Sequence, residues 1–342
     1  MSTKLKDIAQ YLNISVATVS RVVNGKDRVD EKTRSRVQEA IEKYNYSPNE
    51  VARNLKNKTT KAIGLIIPDI TNNFFSEVIK GLESAVRKEK YSIILCNSDE
   101  NQEREKEYLE FLFEKQITGV ILATVSDKLD YISKFNAAKI PIVFIDNLPR
   151  NYSDMDCVTI DNLKASYELN THLIKMGHGK IGIISGPLTE TSGMDTYNGW
   201  KNALSDNGID IKKEWIGYGD FKIESGYKIM KTFLKRKDFP AAFFSANNSM
   251  AYGAARAIME AGLNIPGDIA LVTFGAVDHT GLIRPKFTTI VEPAEDIGRI
   301  AGEIILRKIA TPNVKTYEKI VLQHEILIGE SCGYDASKGY KS

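Results

Sequence analysis

Apolar residues recur at Leu5, Ile8, Ala9 and Leu12, the spacing of one helical face, so the first helix is predicted over Leu5–Leu12. A polar break, Asn13-Ile14-Ser15, follows. A second, shorter helix is expected from Val16 to about Asn24, burying Val19, Val22 and Val23 and turning Thr18, Ser20 and Arg21 outward. Ser15 suits its N-cap, because a serine hydroxyl accepts a bond from a free amide of the first turn. A third helix, Glu31–Tyr44, can brace the pair through Val37, Ala40 and Ile41. Tyr46-Ser47-Pro48 breaks the pattern, and Ser47 or Asn49 can cap a short fourth helix running to about Leu55.

From Ala62 the period changes. Continuous apolar runs ("AIGLIIP", "YSIILCN", "GVILATV", "IPIVFID") alternate with amphipathic stretches over Phe75–Lys88 and Glu103–Lys115. Buried strands alternating with helices predict a parallel sheet covered on both faces. A second series starts near Asn162: a helix to Met176, "KIGIISG", a helix over Tyr197–Asn207, "AAFFSAN", a helix over Met250–Ala261, and "IALVTFG". The expected fold is therefore an all-α head followed by two similar α/β lobes.

Length and charge sharpen this division. At 342 residues the chain exceeds one ordinary core. Residues 1–60 carry 12 Lys/Arg against 7 Asp/Glu, whereas the remainder carries 34 against 37. A basic head on a mildly acidic body suits nucleic-acid binding through the head, although a solvated basic face would give the same count. There is no run of 18 apolar residues and no signal-type segment in "MSTKLKDIAQ", so a cytoplasmic protein without a membrane span is expected.

The chemistry of catalysis is missing. No P-loop, GxSxG or histidine-centred triad pattern is present, so the enzyme class is set aside. Cys96, Cys157 and Cys332 lack CxxC spacing, and His172, His178, His279 and His324 form no HExxH, so no metal and no cofactor are expected. Helix, tight turn and short second helix, by contrast, is the helix-turn-helix unit, whose second helix fits a major groove about 12 Å wide. Arg21 can give paired bonds to guanine, Val16 and Ala17 can touch a thymine methyl, and Thr18 and Ser20 can reach phosphates or bases. A plain three-helix core with a surface arginine would show the same pattern. Leu55, among Arg53, Lys56, Lys58 and Lys61, is either a wedge for the minor groove or an incidental leucine in a polar linker.

The runs "KDIAQYLNISVATVSRVVNG", "TRSRVQEAIEKYNYSPNEVARNL" and "AIGLIIPDITNNFF" resemble the LacI/GalR family of bacterial transcription regulators, nearest its catabolite-control and purine-repressor branches. The likeness is dense over the first 75 residues and recurs to about residue 330. It implies a DNA-binding head of 1–47 and a hinge helix with linker over 48–60. A periplasmic-binding-protein-like effector domain follows, its N-lobe formed by 61–161 plus about 292–322 and its C-lobe by 162–291 plus about 323–335. It further implies a cytoplasmic homodimer that represses by binding a pseudopalindromic double-stranded operator. Leu5, Lys6, Ser15, Val16, Ala17, Thr18, Ser20, Arg21, Asn24, Ala52, Leu55 and Lys56 fall on DNA-contact positions.

The same likeness implies a small-molecule effector, such as a sugar, sugar acid or phosphosugar, held between the lobes. Ligands of open α/β sheets bind beyond the carboxyl ends of the strands. The candidate contacts are Asn72, Phe74, Phe75, Thr124, Asp146, Asn147, Glu190, Thr196, Phe221, Asn247, Asn248, Phe274, Gly275 and Glu292, with Glu292 expected at a crossover. Asn and Asp at strand ends also make ordinary turns. The chain departs from the sugar-binding pattern: Thr196 stands where many relatives have arginine, Gly275 where many have an acid, Asn247-Asn248 where Asn-Asp is usual, and Asp146-Asn147 where Asp-Arg is usual. Glu190 could substitute as a polar contact or could lie exposed in its loop. Either the ligand is unusual, or the pocket is degenerate and a phosphorylated phosphocarrier protein supplies the signal as corepressor. The helix over Phe75–Lys88 resembles the family's dimer face, although its Ile79, Leu82 and Val86 would suit internal packing equally.

Overall fold

The computed structural model describes residues 4–23, 29–44, 46, 60–127, 130–150, 154–275, 282, 284–314 and 316–333. The chain divides into two compact units, Met1–Thr60 and Lys61–Ser342, each with its own core.

The described part of the first unit holds α1 (Leu5–Leu12), α2 (Val16–Val23) and α3 (Glu31–Lys43). α1 ends where Asn13 turns into the left-handed region at φ 52°, which asparagine tolerates better than most residues. The carbonyl of Leu12, left free there, accepts from the Arg36 guanidinium at 3.2 Å. α2 begins as expected at Ser15, whose Oγ accepts from the Thr18 amide at 3.1 Å. Asp30 caps α3 through the Thr33 amide at 2.9 Å. Ile8, Val19 and Val37, one from each helix, are wholly buried at the centre; Val23 is only half-buried.

The second unit is built on two six-stranded sheets. The first contains β1 (Ala62–Ile67), β2 (Ser92–Asn97), β3 (Gly119–Leu122), β4 (Ile142–Ile145), β5 (Asp156–Ile160) and β11 (Lys319–Leu322). Its order is β11-β5-β4-β3-β1-β2 and every pair is parallel. The second contains β6 (Ile181–Ser185), β7 (Ile216–Tyr218), β8 (Ala242–Ser245), β9 (Ala270–Phe274), β10 (Thr288–Val291) and β12 (Glu325–Leu327). Its order is β12-β10-β9-β8-β6-β7, parallel except for the β10–β12 edge. Helices α4 (Asn73–Val86), α5 (Gln102–Glu114), α6 (Asp130–Ala137) and α11 (Ala294–Ala310) cover the first sheet; α7 (Asn162–Lys175), α8 (Thr191–Asp206), α9 (Ile223–Leu234) and α10 (Asn248–Glu260) cover the second. The fold is the expected helical head with a two-lobed α/β body.

The chain passes between the sheets three times: after β5 at Asp161, after β10 at Glu292-Pro293, and between β11 and β12 at Gln323-His324. Glu292 thus stands at a crossing.

Three helix starts differ from the sequence expectation by two residues or more; α10 begins at Asn248 rather than Met250, because the Asn247 side chain accepts from the Met250 amide at 2.8 Å. α4 begins at Asn73 rather than Phe75, because the Asn72 side chain accepts from the Phe74 amide at 3.1 Å. α8 begins at Thr191 rather than Tyr197; its first turns, "TSGMD", carry Ser, Gly and Asp, which read as a loop by propensity. Leu82 and Val86 of α4 are wholly buried in the body's own core, which leaves Ile79, half-buried, as the apolar residue of the trio not wholly committed inward.

Helix pairs on both sheets close on glycine. A Cβ at Gly81 of α4 would lie 1.9 Å from the Glu295 carbonyl oxygen of α11, and one at Gly298 would lie 1.9 Å from that of Val78. α9 and α10 meet likewise at Gly226 and Gly253, where a Cβ would lie 2.1 Å from the Met250 oxygen and 1.9 Å from the Ile223 oxygen. In each case the obstacle is backbone, which cannot swing aside. Gly81→Ala should therefore destabilise the protein by about 1–3 kcal/mol or more despite alanine's better helix propensity. Gly179→Ala, where nothing lies within 4 Å, should stay within about 0.5 kcal/mol of the parent. Thermal unfolding of the two variants side by side checks the pair.

Candidate DNA-reading helix and interlobe cleft

α2 is buried on one side by Val19 and Val22 and open on the other, where Val16, Ala17 and Arg21 are exposed. The guanidinium of Arg21 makes no ion pair with a described residue, so its fork of donors is available to an outside acceptor. Thr18 is half-buried and its hydroxyl lies 2.9 Å from that of Ser15, so both belong first to the helix cap. Ser20 and Leu5 are half-buried, while Lys6 is exposed. Asn24, Ala52, Leu55 and Lys56, and with them the expected hinge helix, lie outside the described residues.

In the body, the carboxyl ends of both sheets face one gap, whose open volume is about 70 Å³. Thirteen of the fourteen sequence candidates line it: Asn72, Phe74, Phe75, Asp146, Asn147, Glu190, Thr196, Phe221, Asn247, Asn248, Phe274, Gly275 and Glu292. Thr124 is the correction. It follows β3 but is 2% exposed, and its hydroxyl donates to Glu105 of α5 at 2.8 Å rather than facing the gap. Glu105 also accepts from the Val125 amide at 2.7 Å, so the pair ties α5 to the strand end.

Several candidates are already occupied. Asn247 caps α10 through the Met250 amide at 2.8 Å and donates to the Phe221 carbonyl at 2.8 Å. The Thr196 hydroxyl donates back to the Ser192 carbonyl at 2.9 Å inside α8. Phe75 and Phe274 are buried in the core and offer only an edge. Glu190 is not exposed in a loop: it is buried, and its Oε2 accepts from the Asn147 amide at 2.5 Å.

That bond joins the lobes. Asn147 follows β4 of the first sheet; its Oδ1 accepts from the Ser192 amide of α8 at 2.9 Å, and the next amide, Leu148, donates to Thr191 Oγ1 at 2.8 Å. Arg150 reaches across to the Leu188 carbonyl. At the rim, Lys222 before α9 pairs with Asp99 after β2 at 2.7 Å. These contacts bridge the lobes across the gap, and parting the lobes to admit a larger ligand would break them.

Glu100 is the residue that sequence reading missed. It follows Asp99 in "NSDEN", a stretch that looks like a polar turn, and both take the left-handed region, at φ 56° for Asp99 and 57° for Glu100. Asp146 and Phe221 do the same at φ 59° and 62°. Such backbone costs roughly 1–3 kcal/mol per residue and gathers at functional sites. Ser192 and Asn162 also line the gap unexpectedly.

The electrostatics are one-sided. Burial pushes the Glu100 carboxyl up to about 9, aided by repulsion from Glu190 and Asp146. Burial and then Asp146 raise Glu190 to about 8, against the bond from Asn147. Burial lifts Asp146 to about 6 and holds Glu292 well above the usual carboxylate range. No lysine, arginine or histidine is among the described residues that line the gap. Cys96, Cys157 and Cys332 are buried elsewhere as free thiols. Among the described residues no three His, Cys, Asp or Glu converge to hold a metal, and no helix is long and apolar enough to cross a membrane.

Residues 4–49 match the family described as "Bacterial regulatory proteins, lacI family", and residues 60–328 match "Periplasmic binding proteins and sugar binding domain of LacI family". Catabolite control protein A of Priestia megaterium is 33% identical over 324 residues, covering 94% of this chain and 96% of that protein. The HTH-type transcriptional repressor PurR of Mannheimia succiniciproducens is 34% identical over 330 residues, covering 96% and 98%. The crystal structure of the lac repressor dimer bound to operator and the anti-inducer ONPF superposes with a TM-score of 0.85 at 26% identity, covering 97% of this chain and 99% of that one. With an outward-facing arginine on the second helix of its head and a bridged cleft in its body, the chain belongs to the LacI family of DNA-binding transcriptional regulators.

Proposed function

We propose that the chain represses an operon serving a carbohydrate or related small molecule, that it reads a pseudopalindromic operator as a homodimer in the cytoplasm, and that a small molecule in the interlobe cleft sets its grip on that operator. The division that suits this reading is a head of 1–47, a hinge and linker of 48–60 that includes Ala52, Leu55 and Lys56, an N-lobe of 61–161 plus about 292–322, and a C-lobe of 162–291 plus about 323–335. The observation that carries it is the open face of α2, with Val16, Ala17 and Arg21 projecting from a helix fixed behind by Val19 and Val22. Paired heads would lie about one helical turn of DNA apart, and two short, feature-poor faces leave much of the discrimination to Arg21 and to DNA shape.

A ligand shifts such a regulator only by binding its two states unequally. The cleft is suited to this, because Asn147, Ser192, Glu190, Lys222 and Asp99 make bonds that exist only while the lobes are together. A bridged polar cleft built from strained backbone favours a small-molecule signal over a phosphocarrier protein as the controlling input.

Arg21→Ala should weaken binding to an operator selected from random DNA by roughly 5–150-fold, the worth of one paired arginine–guanine contact, and should weaken binding to a scrambled duplex much less. Fluorescence anisotropy at fixed salt reads both; equal losses on the two duplexes would reduce Arg21 to a phosphate contact.

The sealed carboxyls give the body a pH signature. Their folded values, about 8 for Glu190 and about 9 for Glu100, lie above the ordinary 4.5, so between these limits the folded state holds protons that the unfolded chain has released. The stability they contribute is present at low pH and is lost as pH rises through about 8 to 9. The ligand-free protein should melt lower at pH 9 than at pH 6, and Glu190→Gln should narrow that gap in a calorimetric scan.

A further inference from the structure

Within the cleft, acidic side chains stand with no lysine, arginine or histidine beside them among the described lining residues. Glu100, Asp146, Glu190 and Glu292 all line it. The nearest cation, Lys222, sits at the rim with its ammonium on Asp99 at 2.7 Å. Independently of this charge count, Glu100 Oε2 is sealed from solvent and has no hydrogen-bond partner among the described residues. A buried carboxyl oxygen left without a donor is costly, by the full desolvation of that atom. It marks a place where the described residues supply no donor.

We propose that the ligand of this cleft is a small organic ammonium ion, whose N–H groups supply the donor that Glu100 Oε2 lacks and whose charge is compensated among the carboxyl groups of Glu100, Glu190, Asp146 and Glu292. The inference rests on the cleft being the effector site. An ammonium fits for three reasons. Its three N–H donors can serve several oxygens at once. The carboxylates are spread around the gap rather than converging, since no three acidic, His or Cys groups among the described residues could hold a metal ion. The rings of Phe74 and Phe221 line the same gap and offer faces that attract a cation. Protons balance as follows. In the empty cleft burial keeps Glu100 and Glu190 protonated at neutral pH; the single charge of an entering ammonium compensates one of them, which ionises and releases its proton to solvent. The groups that face this exchange are Glu100, Asp146, Glu190 and Glu292 in the cleft, with Asp69, Asp99 and Lys222 around it.

The test uses the full-length protein at pH 7.5 in titration calorimetry. The cationic probes are glucosamine, putrescine and lysine; the counterparts without net positive charge are glucose, N-acetylglucosamine and glucose 6-phosphate. Binding by at least one cation, with a heat that depends on the buffer's ionisation enthalpy in the sense of proton release, is the expected result. Which cation binds separates an amino sugar from a diamine and from a basic amino acid. Glu100→Gln and Glu190→Gln, each shown to melt cooperatively, should weaken that binding roughly 10–100-fold, the worth of a hydrogen bond to a charged group. Binding of a neutral or anionic counterpart with equal or greater affinity overturns the ammonium assignment while leaving the cleft as an effector site. Cation binding that survives both substitutions unchanged is surface association and also overturns it. A folded protein that binds no probe at all counts against the ammonium and against the small-molecule reading together.

Discussion

The body's chemistry depends on one constraint of connectivity: the chain passes three times between its two sheets, at Asp161, at Glu292-Pro293 and at Gln323-His324. Those passages turn the carboxyl ends of eleven parallel strands toward a shared gap, with β12 alone running the other way. Residues far apart in sequence thereby meet, as Asn147 and Ser192 do at 2.9 Å. The same passages exclude water from the groups between the lobes, and that exclusion, more than any single contact, is what drives the carboxyls of Glu100 and Glu190 upward. Charge that would be unremarkable on a surface becomes the dominant property of the cleft.

The head solves a smaller problem with less material. Eight residues of α2 are too few to stand as a helix alone in water. It holds because the Ser15 cap satisfies its first turn, because Val19 and Val22 are buried against α1 and α3, and because Arg36 closes the end of α1 behind it. What remains outward is nearly featureless apart from Arg21, so the face proposed to read DNA is defined as much by what is buried as by what is shown.

Much of this was legible in the sequence because the relevant signals are local. Spacing of 5, 8, 9 and 12 fixed the first helix to the residue, and Ser15 announced the second. Thirteen cleft residues could be named since they follow strands, or match family positions, in a topology that determines where strand ends go. The failures share a cause too. Thr124 follows a strand like the others, yet its hydroxyl is taken by Glu105, a partner 19 positions away that no pattern indicates. Glu100 sits in a stretch that has the composition of a turn, and only the three-dimensional path shows that it points to the gap. Glu190 was undecided between burial and exposure for want of its partner, Asn147, 43 residues earlier. Local rules locate elements; they do not say which polar atoms will find each other.

The glycine contacts between helices bear on how the body can move. Where Gly81 meets the Glu295 carbonyl, or Gly253 that of Ile223, two backbones touch with no side chain between them. Side chains can slip from one rotamer to the next and let packed helices slide; abutting backbones cannot. Sliding of layer over layer, the shear mode of domain motion, is thus closed to the α4–α11 and α9–α10 pairs. Each of these pairs is held as a unit within its lobe, and the freedom left between the lobes lies in three short passages of chain.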